Sequence, residues 1–173
     1  LQPSRPQPGT TVQAHAEAAD ADGDAVRVRY EWHADGGRVS GGQDGSLLVP
    51  EQLRKGAVLI VSAIASDGRA ESEPATANVR IGNREPAVTA VRFEPTDGIK
   101  PGETVIAVAE GADPDGDELD FHYEWRIGEA VQSGDRERFD TSKMKRGERL
   151  SVRVVASDGE DESTPVESQY LEL

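Results

Sequence analysis

The sequence predicts an all-β chain built as two tandem antiparallel β-sandwiches. Three observations predict it: an internal repeat, two-residue alternation of apolar and polar side chains inside each copy, and turn signals about every 8–12 positions. The length of 173 residues allows one large domain or two small ones, and the repeat decides for two.

The segment Asp20-Ala21-Asp22-Gly23-Asp24, followed by Val26, Val28, Tyr30 and Trp32, recurs as Asp113-Pro114-Asp115-Gly116-Asp117, followed by Leu119, Phe121, Tyr123 and Trp125, at an offset of 93. Pro8-Gly9 and Pro101-Gly102 share that offset. Further on, Ala65-Ser66-Asp67-Gly68 recurs as Ala156-Ser157-Asp158-Gly159, and Lys55-Gly56 as Arg146-Gly147, at an offset of 91. The boundary falls in Ile81-Gly82-Asn83-Arg84-Glu85-Pro86, where a strand pattern gives way to polar turn residues. The repeats are therefore residues 1–82 and 83–173.

Within each repeat the strands follow in order. Val12, Ala14 and Ala16, with Val105, Ala107 and Ala109, make the first alternating row. The rows ending in Trp32 and Trp125 alternate with Arg27, Arg29 and Glu31 and with Asp120, His122 and Glu124, the pattern of a half-buried antiparallel strand. Leu59, Val61, Ala63 and Ala65, with Leu150, Val152, Val154 and Ala156, make the next row, and last strands run through residues 75–81 and 166–173. Residues 50–55 and 141–146 predict a single helical turn at most. Roughly seven short strands in about 90 residues, with a Trp on the third, are what an immunoglobulin-like sandwich requires. The chain has no cysteine, so packing alone must hold each core, and the redox compartment stays open.

The pattern Asp-x-Asp-Gly-Asp, then Tyr-x-Trp, then basic-Gly, Ala-Ser-Asp-Gly and Asn-x-x-Pro resembles the tandem cadherin-like and polycystic-kidney-disease-type (PKD-like) repeats of bacterial surface proteins. The likeness covers nearly the whole chain. It implies an extracellular or cell-surface module of a bacterium that spaces, adheres or assembles, often with calcium. Such sandwiches host many roles, so the likeness bears on fold more than on function. Repeat one departs from the pattern at its start: residues 1–7 precede Pro8-Gly9, against residues 83–100 before Pro101-Gly102.

In immunoglobulin topology the loop after the second strand and the loop before the last strand lie at one end of the sandwich. That arrangement predicts Asp113, Asp115 and Asp117 near Asp158, and Asp20, Asp22 and Asp24 near Asp67. Gathered carboxylates repel, and a hard cation with oxygen ligands relieves the repulsion, calcium more naturally than magnesium. The same residues also satisfy a plain turn, because Asp113-Pro114-Asp115-Gly116 has type I turn composition. Both readings stand at this level. The linker is expected to approach the acidic loops of repeat two, with Glu85 or a backbone carbonyl as a further calcium ligand. A short proline-limited linker is the plainer alternative.

Charge narrows the partners. With 33 acidic against 19 basic residues the net charge is −14, which argues against nucleic-acid binding and favours cations. Residues 1–82 carry 11 acidic and 8 basic side chains, and residues 83–173 carry 22 and 11, so the excess sits in repeat two. The longest strongly apolar run, residues 57–61, is too short to span a bilayer. A chain beginning at Leu1 reads as a processed product or an excised fragment, with the fragment favoured.

No nucleophile elbow, phosphate loop or zinc motif is present, and His15, His33 and His122 have no catalytic partner at a recognisable spacing, so the chain is read as no enzyme. A carbohydrate-binding accessory module is the second class. It is weakened because Tyr30, Trp32, Phe121, Tyr123 and Trp125 belong to core-facing rows, which leaves Phe93, Phe139 and Tyr170. The third class is a subunit of an extracellular filament assembled by strand exchange, suggested by the short start of repeat one. The expected partners are neighbouring repeats or subunits of a surface protein or fibre, with polysaccharide as the second candidate.

Overall fold

Alternation dictates the central strand of each repeat, and β-branched or aromatic residues on its inner face give it a core to cover. The computed structural model describes residues 1–132 and 136–172, and contacts divide the chain into unit 1, Leu1–Asn83, and unit 2, Arg84–Leu173. Every strand pairing within them is antiparallel. Each unit is an immunoglobulin-like antiparallel β-sandwich.

Unit 1 holds β1 (Thr11–Gln13), β2 (Arg27–Ala34), β3 (Gly37–Val39), β4 (Ser46–Leu48), β5 (Val58–Ser66) and β6 (Ala75–Arg80). One sheet runs β3-β2-β5-β6, and β1 pairs with β4 to make the other. The β2–β3 hairpin closes on Asp35-Gly36, with φ of 49° and 79°, the left-handed pair that an Asp-Gly turn supplies at least cost. Trp32, Leu47 and Leu59 form the centre of the core.

Unit 2 holds β7 (Ala87–Glu94), β8 (Thr104–Ala112), β9 (Asp120–Ile127), β10 (Ala130–Val131), β11 (Arg138–Asp140), β12 (Arg149–Ser157), β13 (Val166–Glu167) and β14 (Leu171–Glu172). One sheet runs β10-β9-β12-β13, with β14 also on β12, and the other runs β11-β8-β7. Trp125 stacks on Phe93 and Phe139, with ring centroids 5.8 and 5.1 Å away. Its indole N–H donates to the Arg136 carbonyl at 2.8 Å, so its one polar atom is satisfied.

The structure departs from the sequence reading in three places. Residues 14–19 form no strand, although their counterparts in unit 2 do, because β7 pairs with β8 and none of the described residues plays that part beside residues 14–19. The last strand of unit 2 is split into β13 and β14 at Ser168, whose hydroxyl accepts the Val152 N–H at 3.0 Å in place of a ladder carbonyl. The helical turn is a 3-10 turn at Thr141–Lys143, capped by Asp140 accepting the Ser142 N–H at 2.8 Å, while residues 50–55 contain turns and no helix.

Candidate functional site: the acidic loops

The Asp-x-Asp-Gly-Asp segment folds upon its first aspartate. In unit 2, Oδ1 of Asp113 accepts the N–H groups of Asp115 and Asp117 at 2.7 and 3.0 Å, and the Asp113 carbonyl accepts Gly116 N–H at 3.3 Å. Gly116 has φ of 84°, which a side chain would oppose. Unit 1 repeats this geometry. Asp20 Oδ1 accepts from Asp22 and Asp24 at 2.8 and 3.1 Å.

The later Asp-Gly loop is built the same way. Oδ1 of Asp158 accepts the N–H groups of Glu160 and Asp161, both at 2.7 Å. Oδ1 of Asp67 accepts from Arg69 and Ala70, also both at 2.7 Å. The Ala70 and Arg69 amides hold the Asp67 carboxyl below the usual carboxylate range, since each bond favours the ionised form.

The units differ at the middle aspartate. Asp115 is gripped by Arg84: its Oδ2 accepts the Arg84 backbone N–H at 2.8 Å, and its Oδ1 accepts Nε and an Nη of the guanidinium at 3.0 and 2.8 Å. A second acceptor for that guanidinium is the Pro114 carbonyl. The Asp115 side chain is 3% exposed and that of Arg84 27%, so the pair is largely withdrawn from water. In unit 1 Asp22 is exposed, and a cation that approaches its loop is Arg69, 3.9 Å from Asp24.

Of the linker residues, then, Arg84 reaches the loop, while Glu85 is exposed. Arg84 is the residue the sequence reading missed; its one signal is a positive charge in a linker expected to approach carboxylates. Among the described residues no three His, Cys, Asp or Glu side chains gather as a metal-ligand group. The donor set for calcium is correspondingly thin: both Asp115 oxygens are engaged by Arg84, and Oδ1 of Asp113 by backbone amides. Oδ2 of Asp113 is buried and accepts no hydrogen bond among the described residues.

No protein-family model and no curated protein sequence matches the chain. Among solved structures it is similar to a two-domain fibronectin type-III segment of chicken tenascin, at 18% identity over 98% of this chain and 95% of that one, with a TM-score of 0.46. It is also similar to the FN1–FN3 domains of chicken CNTN1, at 11% identity over 87% of this chain and 54% of that one, with a TM-score of 0.36. Tandem Ig repeats of Dlar match at 14% identity over 84% and 81%, with a TM-score of 0.29.

Proposed function

We propose that the chain is a non-enzymatic, extracellular tandem module that spaces or assembles a surface protein, and that Arg84 does at the acidic loop of unit 2 the charge-balancing work that a calcium ion could also do. The observation that carries this reading is how the residues flanking the boundary are held. On the unit 1 side, the Asn83 carbonyl accepts Gln7 Nε2 at 2.5 Å and its side-chain oxygen accepts Lys55 Nζ at 3.0 Å. On the unit 2 side, Arg84 is bound to Asp115 through backbone and side chain. A spacer needs its linker residues tied down in this way, since every untied residue adds conformational freedom.

Trypsin tests it directly, because cleavage after Arg84 requires the guanidinium to leave Asp115. The bond after Arg84 should survive digestion that cuts after exposed Arg69, and should become a leading cut in Asp115→Ala. Equal early cleavage in both proteins overturns the reading.

A second reading adds calcium to the loop of unit 2, supported by the unpartnered Oδ2 of Asp113. Bound calcium would there add positive charge beside Asp113 and Asp117. Millimolar calcium against a chelator should then raise the melting temperature of unit 2, as any ligand of the folded state must. An unchanged melt removes calcium and leaves the arginine clamp. The polysaccharide reading has less support: Tyr170 is the only aromatic among the large exposed hydrophobic side chains of the described residues.

A further inference from the structure

Unit 1 contains a groove whose counterpart within unit 2 is covered by that unit's own strand β7. The segment Thr-Val-Gln-Ala-His-Ala-Glu-Ala-Ala over residues 11–19 corresponds to Thr104–Ala112, which is β8 along its whole length. In unit 2, β7 pairs with β8 from Ala87↔Ala112 to Glu94↔Ile106. In unit 1 the described residues form only the last rung of that ladder: Gln2 pairs with Gln13, which is the counterpart of Ile106. Gln2 therefore stands where Glu94 stands, and Leu1 where Phe93 stands.

Beyond that rung the ladder is open. The backbone groups of Gln13 that exchange bonds with Gln2 point away from β4, and two-residue alternation continued through Ala14 and Ala16, which donate on the β4 side, would direct those of His15 and Glu17 toward the Gln2 side. His15 and Glu17 make no backbone hydrogen bond among the described residues, whereas Ala14 and Ala16 on the opposite side donate to Gly45 and to the Tyr30 hydroxyl. Beside this open edge lie two adjoining grooves, lined mainly by small apolar residues that include Ala16, Val28, Ala63, Ala65 and Ala75.

The packing shows the same gap. Val154 and Ala156 of unit 2 are 0% exposed, while their counterparts Ala63 and Ala65 are only half-buried. Ala109, Leu119 and Phe121 pack on the core of unit 2 together with Val88 and Val91 of β7. Their counterparts Ala16, Val26 and Val28 are outside the core of unit 1.

We propose that this groove is a docking site for one extended strand that runs antiparallel to residues 14–19 and leads directly into Leu1, with alternate apolar side chains turned onto Ala63 and Ala65. Direction and register are fixed by the existing Gln2–Gln13 rung, and the apolar requirement by the alanine floor. A continuous strand is favoured because it extends a rung already formed.

The test uses the full chain carrying a copy of residues 86–92 placed ahead of Leu1, so that Leu1 takes the place of Phe93. Hydrogen exchange of the His15 and Glu17 amides should slow at least tenfold and the melting temperature of unit 1 should rise, with unit 2 amides unchanged as the internal reference. A second prefix, with both copied valines replaced by aspartate, should give neither effect. Unchanged exchange at His15 and Glu17 with the first prefix overturns the proposal. Equal protection by both prefixes overturns the apolar floor as its basis. Equal protection by the same seven residues added as a free peptide overturns the continuous strand and makes the occupant a separate chain.

Discussion

Arg84 and Asp115 form a two-point clamp in which one carboxylate receives both the backbone amide and the guanidinium of the same residue. Removing the cation would strand a carboxylate that is 3% exposed, and breaking a buried pair on one side costs about 3–5 kcal/mol. The partly exposed guanidinium lowers that figure. Arg84→Ala should therefore destabilise unit 2 by about 2–3 kcal/mol, read from its denaturant midpoint, while Glu85→Ala should leave that midpoint unmoved. Equal effects of the two substitutions would show that the clamp contributes nothing.

Asp67 gives unit 1 an acid-sensitive loop. Its folded pKa is depressed by the amides of Ala70 and Arg69, so the unfolded chain takes up the proton first as pH falls. The stabilisation is present above the ordinary carboxylate pKa of about 4 and is lost as pH drops through the lower folded value. Asp67→Asn should lower the stability of unit 1 at pH 7 and converge on the parent protein as pH falls through that lowered folded value. Urea midpoints across that range check it, and a gap that stays constant with pH excludes the mechanism.

Gly41 is a packing position. A Cβ added there would meet the Trp32 ring, 2.8 Å from its Nε1, and would lie 3.0 Å from the Ser46 carbonyl. Trp32 is 1% exposed and cannot retreat. Gly41→Ala should cost unit 1 about 1–3 kcal/mol and shift the emission of Trp32, measured in a Trp125→Phe background. An unshifted midpoint would show that the loop yields without cost.

Legibility in the sequence followed the range of the interaction. The strands ending in Trp32 and Trp125 were readable because alternation over eight residues is a local signal, and both are eight-residue strands. The aspartate-centred turns were readable for the same reason. Residues 14–19 show the limit: they alternate as well as their counterparts in β8, yet a strand is completed by its partner, and their own alternation says nothing about whether one is present. At the acidic loops, spacing foretold the folded turns but not the guanidinium on Asp115, because the 31-residue separation from Arg84 closes only in the folded sandwich. Ser168 escaped notice because a hydroxyl that substitutes for a ladder carbonyl looks, in sequence, like any solvent-facing serine.

The central claim is that the residues at the boundary are held as firmly as strands, through Arg84 on Asp115. Amide order parameters of residues 83–85 measure this most directly. The account predicts values near 0.85, equal to those of β8 and β9, falling in Asp115→Ala. Values below about 0.6 in the parent protein would contradict it.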